Sequence, residues 1–246
     1  MDRQQKEKKF ISYIESKTLN SGQMYARFHL GPFFKDHALS FSNSIRRNLL
    51  AGIPGLVITD IIFLGIKHEF DAIPGVHETI FDIIENIKQI VLTNTNENIQ
   101  ILLSRQKEIQ AFLKFQGPGK VTAGDIKFPP NISCVIPSQH IASVSWDGEL
   151  LITLKIALVD PNQLQKFKTP QEFAYDNKIF NVQRFPNPIK EANYLIRKLD
   201  KKQEFYYIAL DITTDGSIRP KQALQYSLYK LTKLFYDFAV VSLSSK

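Results

Sequence analysis

The last regular segment of the chain constrains it most. From Pro220 onward the apolar residues Leu224, Leu228, Leu231, Phe235 and Phe238 recur at intervals of four, three, four and three, the seam spacing of packed helices. Proline at the first helical position, just after Asp215-Gly216, marks where that helix begins. A second stripe, Tyr226, Tyr229 and Tyr236, follows a different flank. A helix that only covers a sheet needs one stripe. Two readings stay open: a single wide core face, or a helix that packs its own sheet and a partner subunit as well. A second amphipathic helix is expected from an N-cap at Asp36 to a stop before Gly52, with Ala38, Phe41, Ile45 and Leu49 on its apolar side.

The rest of the chain is cut into short pieces. Phe10, Ser12 and Ile14 alternate with a polar register, Asn20-Ser21-Gly22 turns the chain, and residues 24–28 resume the alternation, which predicts a strand pair ended by Gly31-Pro32. Pro54-Gly55 is a turn and a candidate domain boundary. Residues 56–69 are β-branched and apolar and predict one or two strands bent at Gly65, followed by a loop at Ile73-Pro74-Gly75. A helix is expected from Thr79 to Leu92, with Ile80, Ile83, Ile84, Ile87 and Ile90 on one face. Strands are expected near 100–103, 111–115, 133–136 and 143–146, with a turn at Gly117-Pro118-Gly119. Asp147-Gly148 reads as a hairpin turn into a strand over 150–159. Residues 160–178 are polar and proline-interrupted and read as a loop, and 193–199 and 206–213 read as two strands. Helices interspersed with antiparallel hairpins place the chain in the α+β class.

Composition narrows function by exclusion. With 43% hydrophobic and 22% charged residues the chain is globular. Its one cysteine, Cys134, excludes an internal disulfide and a multi-cysteine metal framework. The start MDRQQKEKK does not resemble a signal peptide, and the apolar stretch 49–66 is interrupted by Gly52, Pro54, Gly55 and Asp60, so a soluble intracellular protein with no membrane partner is expected. Lys plus Arg number 31 against 24 acids, and the pI is near 9.3. Such a balance suits a nucleic-acid partner, but the excess is thinly spread and no basic stripe is interleaved with aromatics. His29, His37, His68, His77 and His140 lack metal-ligand spacing, so no metal site is expected. Gly117-Pro118-Gly119-Lys120 lacks the first glycine and the hydroxyl residue of a phosphate loop. Glu78, Asp82 and Glu85 share a helix face opposite the isoleucines and read as a solvated surface, and Cys134 reads as a small buried hydrophobe. No catalytic residue and no bound cofactor is nominated. These residues describe a binding or assembly protein; the alternatives are a stand-alone basic nucleic-acid-binding protein or a small enzyme with an unrecognised site.

Four colinear segments are more specific: SNSIRRNLLAGIPGLVITDI (Ser42–Ile61), GIKHEFDAIPGVHETIFDIIENIKQIVL (Gly65–Leu92), GPGKVTAGDI (Gly117–Ile126) and TTDGSIRPKQAL (Thr213–Leu224). Together they resemble the N-terminal region of the α subunit of the multisubunit, bacterial-type DNA-dependent RNA polymerase. That resemblance implies a discontinuous dimerisation domain, residues 1–55 and 179–240, with a mainly-β domain inserted at 56–178 and a tail at 241–246. It implies a homodimer whose interface uses the two amphipathic helices, here Phe41, Ile45, Leu49, Leu224, Leu228, Leu231, Phe235 and Phe238. It also implies that the dimer is a platform for the β and β′ subunits, without catalytic residues of its own. Magnesium is then held at the polymerase active site on another subunit, and DNA is met only through the assembled complex.

The implied large-subunit contact is Asn43, Arg46 and Arg47, with His68, Glu69, Ile73, Pro74, Gly75 and Val76 beside it. Two adjacent arginines on a helix cannot both face a core, and guanidinium groups suit charge-assisted interface contacts; the other reading makes one of the pair a surface solubiliser. Three features depart from the family. A Gly-Arg-Gly-Tyr segment is replaced by VDPNQLQKFKTPQEF, which puts the β′ contact there in question. The chain also ends at Lys246, where the family continues to a DNA-binding C-terminal domain, so promoter contacts through such a domain are not expected. Arg219 would be the cap of the last helix, a residue without an acceptor. The bias toward isoleucine, 29 against 13 alanines, fits an AT-rich organelle genome, and the expected address is a plastid, with the bacterial cytoplasm as the alternative.

Overall fold

The computed structural model describes residues 8–64, 66, 70–95, 109–161, 179–182, 186–199 and 204–240. The chain divides into two compact units, one made of Met1–Ile53 with Asn187–Lys246 and one of Pro54–Pro186. The family resemblance had set the breaks at 55/56 and 178/179. The second break moves because the short strand Ile179–Asn181 hydrogen-bonds to Gly55–Phe63 and so belongs to the inserted unit.

The discontinuous unit is a four-stranded antiparallel sheet with helices on one face. Strands β1 (Phe10–Thr18) and β2 (Met24–Phe33) form the expected pair, and β12 (Ile189–Lys198) and β13 (Tyr206–Thr214) complete the order β1-β2-β13-β12. Alternation does the sorting. Ala26, Phe28 and Leu30 of β2 and Ile208, Leu210 and Ile212 of β13 are buried, while their odd-numbered neighbours face the other side. Helix α1 (Lys35–Gly52) turns Ala38, Ser42, Ile45, Leu49 and Gly52 inward, again at intervals of four and three. Helix α3 (Pro220–Val240) buries Pro220, Ala223, Leu224 and Ser227 and leaves its later turns exposed.

The inserted unit is built on a five-stranded sheet, β11 (Ile179–Asn181), β3 (Gly55–Phe63), β10 (Glu149–Val159), β5 (Ile109–Gln116) and β7 (Ile126–Lys127), paired in that order. Two small sheets accompany it, β4 (Leu92–Asn94) with β8 (Ile132–Cys134), and β6 (Gly119–Thr122) with β9 (His140–Val144). Helix α2 (Ile80–Lys88) lays Ile80, Ile83, Ile84 and Ile87 into a core shared with Ile61, Phe63, Leu113 and Leu154. Its start is fixed by a capping box: the Thr79 hydroxyl accepts from the Asp82 backbone N–H, and the Asp82 carboxylate accepts from Thr79.

Several expectations are corrected. Phe34, not Asp36, is the N-cap of α1, and it makes no side-chain cap; Asp36 sits in the first turn, where its charge suits the helix dipole. Gly31-Pro32 does not end β2, because pairing continues to Phe33 opposite Tyr206. Helix α2 stops at Lys88, where the Gln89 N–H returns to the Asn86 and Ile87 carbonyls, so Leu92 opens a strand instead. Asp147-Gly148 is a turn but not a hairpin: β9 pairs with β6, whereas β10 pairs with β3 and β5. The backbone N–H of Arg219 meets the Gln222 Oε1 at 3.3 Å, half of a capping box supplied from the third helical position. The bend at Gly65, the strand at 100–103, nearly all of the loop at 160–178 and the tail at 241–246 lie outside the described residues.

Candidate functional site

The helical face of the discontinuous unit is assembled by two specific locks. The Asn48 amide of α1 donates to the Ser227 carbonyl at 2.9 Å and to its hydroxyl at 3.2 Å. From α3, the Lys230 ammonium donates to the Gly52 carbonyl at 3.0 Å, closing the end of α1. A lysine is favourable there because the last carbonyls of a helix carry its negative dipole end. These contacts fix the first turns of α3 against α1. Beyond them an open groove of about 490 Å³ runs between the helices, lined by Phe33, His37 and Phe41 on one side and Leu228, Leu231 and Phe235 on the other. The Phe33 and Phe41 rings lie 5.0 Å apart.

This geometry divides the eight residues assigned to a dimer interface. Ile45 and Leu49 are 1% exposed and Leu224 is 2% exposed. They are packed in the chain's own core, because the stripe they belong to is turned onto the sheet, and that removes them from any contact with a partner. Phe41, Leu228 and Leu231 are half-buried and line the groove. Phe235 and Phe238 are 64% and 75% exposed. One apolar stripe therefore changes its environment along the length of α3, from core at Leu224 to solvent at Phe238. Leu234, Tyr236 and Val240 widen the exposed end, and Leu39 and Leu50 add exposed leucines on α1. The spacing that singled out the stripe carries no mark of where the sheet beneath it ends.

The residues assigned to a large-subunit contact also separate. Asn43 accepts from the Tyr194 hydroxyl at 2.7 Å, and the Arg46 Nε donates to the Ala192 carbonyl at 2.8 Å, so both are anchored to β12. Arg47 is exposed and, among the described residues, has no hydrogen-bond or ion-pair partner. Ile73–Val76 of the inserted unit form a tight turn in which the Val76 N–H meets the Ile73 carbonyl at 3.0 Å. Pro74 is exposed at its crest, while Ile73 and Val76 pack against the core. His68 and Glu69 lie outside the described residues.

On its other face the four-stranded sheet carries a polar cluster that sequence reading missed. The Arg27 guanidinium holds the Asp211 carboxylate with two hydrogen bonds, at 2.7 and 3.1 Å, and the Tyr25 hydroxyl donates to the same carboxylate at 2.8 Å. Burial by itself would push the Asp211 carboxyl up; the bonds from Arg27 and Tyr25 overcome it and hold the group below its ordinary value. Among the described residues no group of three or more His, Cys, Asp or Glu is placed to hold a metal ion, and no helix is long and apolar enough to cross a membrane.

Comparison with known proteins decides the family. The DNA-directed RNA polymerase subunit alpha of Chlorella vulgaris is 35% identical over 272 residues, covering 96% of this chain and 97% of that protein. This chain belongs to the family of DNA-directed RNA polymerase α subunits. The α subunit of Cyanidium caldarium is 33% identical over 240 residues, with 96% of this chain and 73% of that one covered. That of Angiopteris evecta is 35% identical over 230 residues, and there the match spans 62% of the relative's length. A family model described as the RNA polymerase Rpb3/RpoA insert domain matches residues 57–160, inside the unit whose sheet and α2 core are described above. These α-subunit relatives come from chloroplast or plastid genomes, and the α+β architecture agrees with the family.

Proposed function

We propose that this α subunit is a non-catalytic assembly platform of a plastid RNA polymerase, acting as a homodimer that holds the β and β′ subunits. In this reading the dimer forms through the exposed end of α3 and the groove beside α1, and magnesium and DNA are handled elsewhere in the complex. The observation that carries it is the change of environment along one stripe, with Leu224 in the core and Phe235 and Phe238 in solvent. A soluble helix does not keep two phenylalanines exposed at the continuation of its core seam without cost. Each one buried against a partner stabilises by about 2 kcal/mol, and a two-fold interface counts each residue twice. The Arg46/Arg47 pair supports the second part of the reading, with one guanidinium anchored to β12 and the other free to meet a partner.

Sedimentation equilibrium of the purified chain tests the dimer. The wild type is expected to be dimeric, and Phe235→Asp with Phe238→Asp is expected to give a folded monomer, weakening association by roughly a hundredfold or more. Both side chains are exposed, so the substitutions leave the core intact. In the same preparations Arg47→Ala should stay dimeric and retain less of the large subunit on co-purification. A wild-type monomer, or a double variant that dimerises normally, would overturn the assignment of this face. Tight, salt-sensitive binding of nucleic acid by the isolated chain would favour a direct nucleic-acid role instead.

A further inference from the structure

Among the exposed apolar side chains of the inserted unit, the largest is one that its own packing does not explain. Trp146, the single tryptophan of the chain, is 86% exposed at the crest of a turn between β9 and β10. That turn is rigid. The Gly148 N–H closes onto the Ser145 carbonyl at 3.2 Å, and the Gly148 carbonyl accepts from Gly117 at 3.0 Å. The Ser145 N–H in turn donates to the Gly75 carbonyl at 2.7 Å. The Ser145 hydroxyl lies 3.3 Å from the His77 ring nitrogen, and Val76 bridges to Val144. Three glycines allow this interlocking of backbones. A Cβ at Gly148 would lie 2.4 Å from the Gly75 carbonyl, and one at Gly117 would lie 1.8 Å from the Ser145 carbonyl. Gly75 also has φ of +76°, which side chains other than glycine rarely adopt.

The turn that raises Trp146 and the Ile73–Val76 turn are therefore one rigid body. A large aromatic held by its backbone on a preordered turn loses little conformational freedom on binding, and tryptophan is enriched among residues that dominate protein interfaces. We infer that Trp146 is an anchor for the large polymerase subunit that meets the Ile73–Val76 turn, inserting into a pocket on that subunit. This rests on the assembly reading above. It adds to it a residue from a different stretch of chain, one that the family segments do not include.

The test uses the full chain reconstituted with the large subunits. Trp146→Ala is expected to keep its fold and its dimer, since the side chain touches little of its own unit, and to weaken large-subunit capture by about thirtyfold, the scale of a hot-spot truncation. Trp146→Phe should retain an intermediate share. In wild-type protein carrying 5-hydroxytryptophan, which is excited apart from the partner's tryptophans, quenching of residue 146 by acrylamide should fall when the large subunit binds. Capture by Trp146→Ala at the wild-type level, or unchanged quenching, would overturn this inference and leave the assembly reading standing. Failure of the wild-type chain to capture a large subunit would overturn both.

Discussion

Asp211 shows how a single residue sets a pH response. Its carboxylate accepts from Arg27 and Tyr25 of the adjacent strand β2, on the sheet face without helices. Because its folded pKa lies below the unfolded value of about 3.9, the stabilisation it supplies is present above that value. It is lost as pH falls through the folded pKa. Asp211→Asn should therefore lower stability by about 1 kcal/mol near neutral pH, a shift of about 2–4 °C in Tm. The difference from wild type should shrink toward zero at the acid end of the range. Thermal denaturation of both proteins over a pH series checks this; a difference that stays constant into strong acid would mean that charge pairing is not its source. The cluster was invisible in sequence because Tyr25 and Arg27 are joined to Asp211 only by the β2–β13 register.

At the scale of elements, α1 divides its circumference three ways. One stripe, Ala38 to Gly52, packs on the sheet; Asn48 faces α3; and of the remaining polar residues Asn43 and Arg46 reach β12 while Arg47 faces outward. Removing the amide of Asn48 leaves the Ser227 hydroxyl without that donor and frees α3 at the point where it leaves the core. Asn48→Ala should cost about 1–2 kcal/mol in a denaturant titration and also weaken the dimer. Phe235 is presented by the part of α3 that this lock steadies. A loss of stability with unchanged association would show that the lock serves the core alone. The helices themselves were legible because their signals are local: the α2 isoleucines at helical spacing, and Pro220 at a first helical position. What lies on the far side of a stripe is not local. Periodicity marks Ile45, Leu49, Leu224 and Phe238 alike, and only the extent of the sheet beneath them decides which are core and which meet solvent. Asp147-Gly148 makes the same point for strands, since a good turn sequence joins β9 to β10 although the two belong to different sheets.

For the whole molecule, the division into units follows from where each core closes. The inserted unit is contiguous in sequence, Pro54 to Pro186, and its buried isoleucines, leucines and phenylalanines form one cluster drawn entirely from those residues. The other unit needs both chain ends, because β2 finds β13 and α1 finds α3 only when residues separated by the insert come together. Pro54 was readable as the first boundary because proline and glycine follow one another there. The second was misplaced because β11 is three residues long and its allegiance is set by pairing with β3. A domain with its own core is expected to fold when excised. The fragment 54–186 should therefore unfold cooperatively on heating. It should sediment as a monomer at concentrations where the intact chain is dimeric, because the face containing Phe235 and Phe238 is absent from it. Its single tryptophan gives a direct comparison: fluorescence emission of Trp146 in the fragment should match that of the intact dimer, both being exposed. A fragment that dimerised as the intact chain does would move the dimer contact to the inserted unit. One that failed to fold would mean that the core cluster depends on the remainder of the chain.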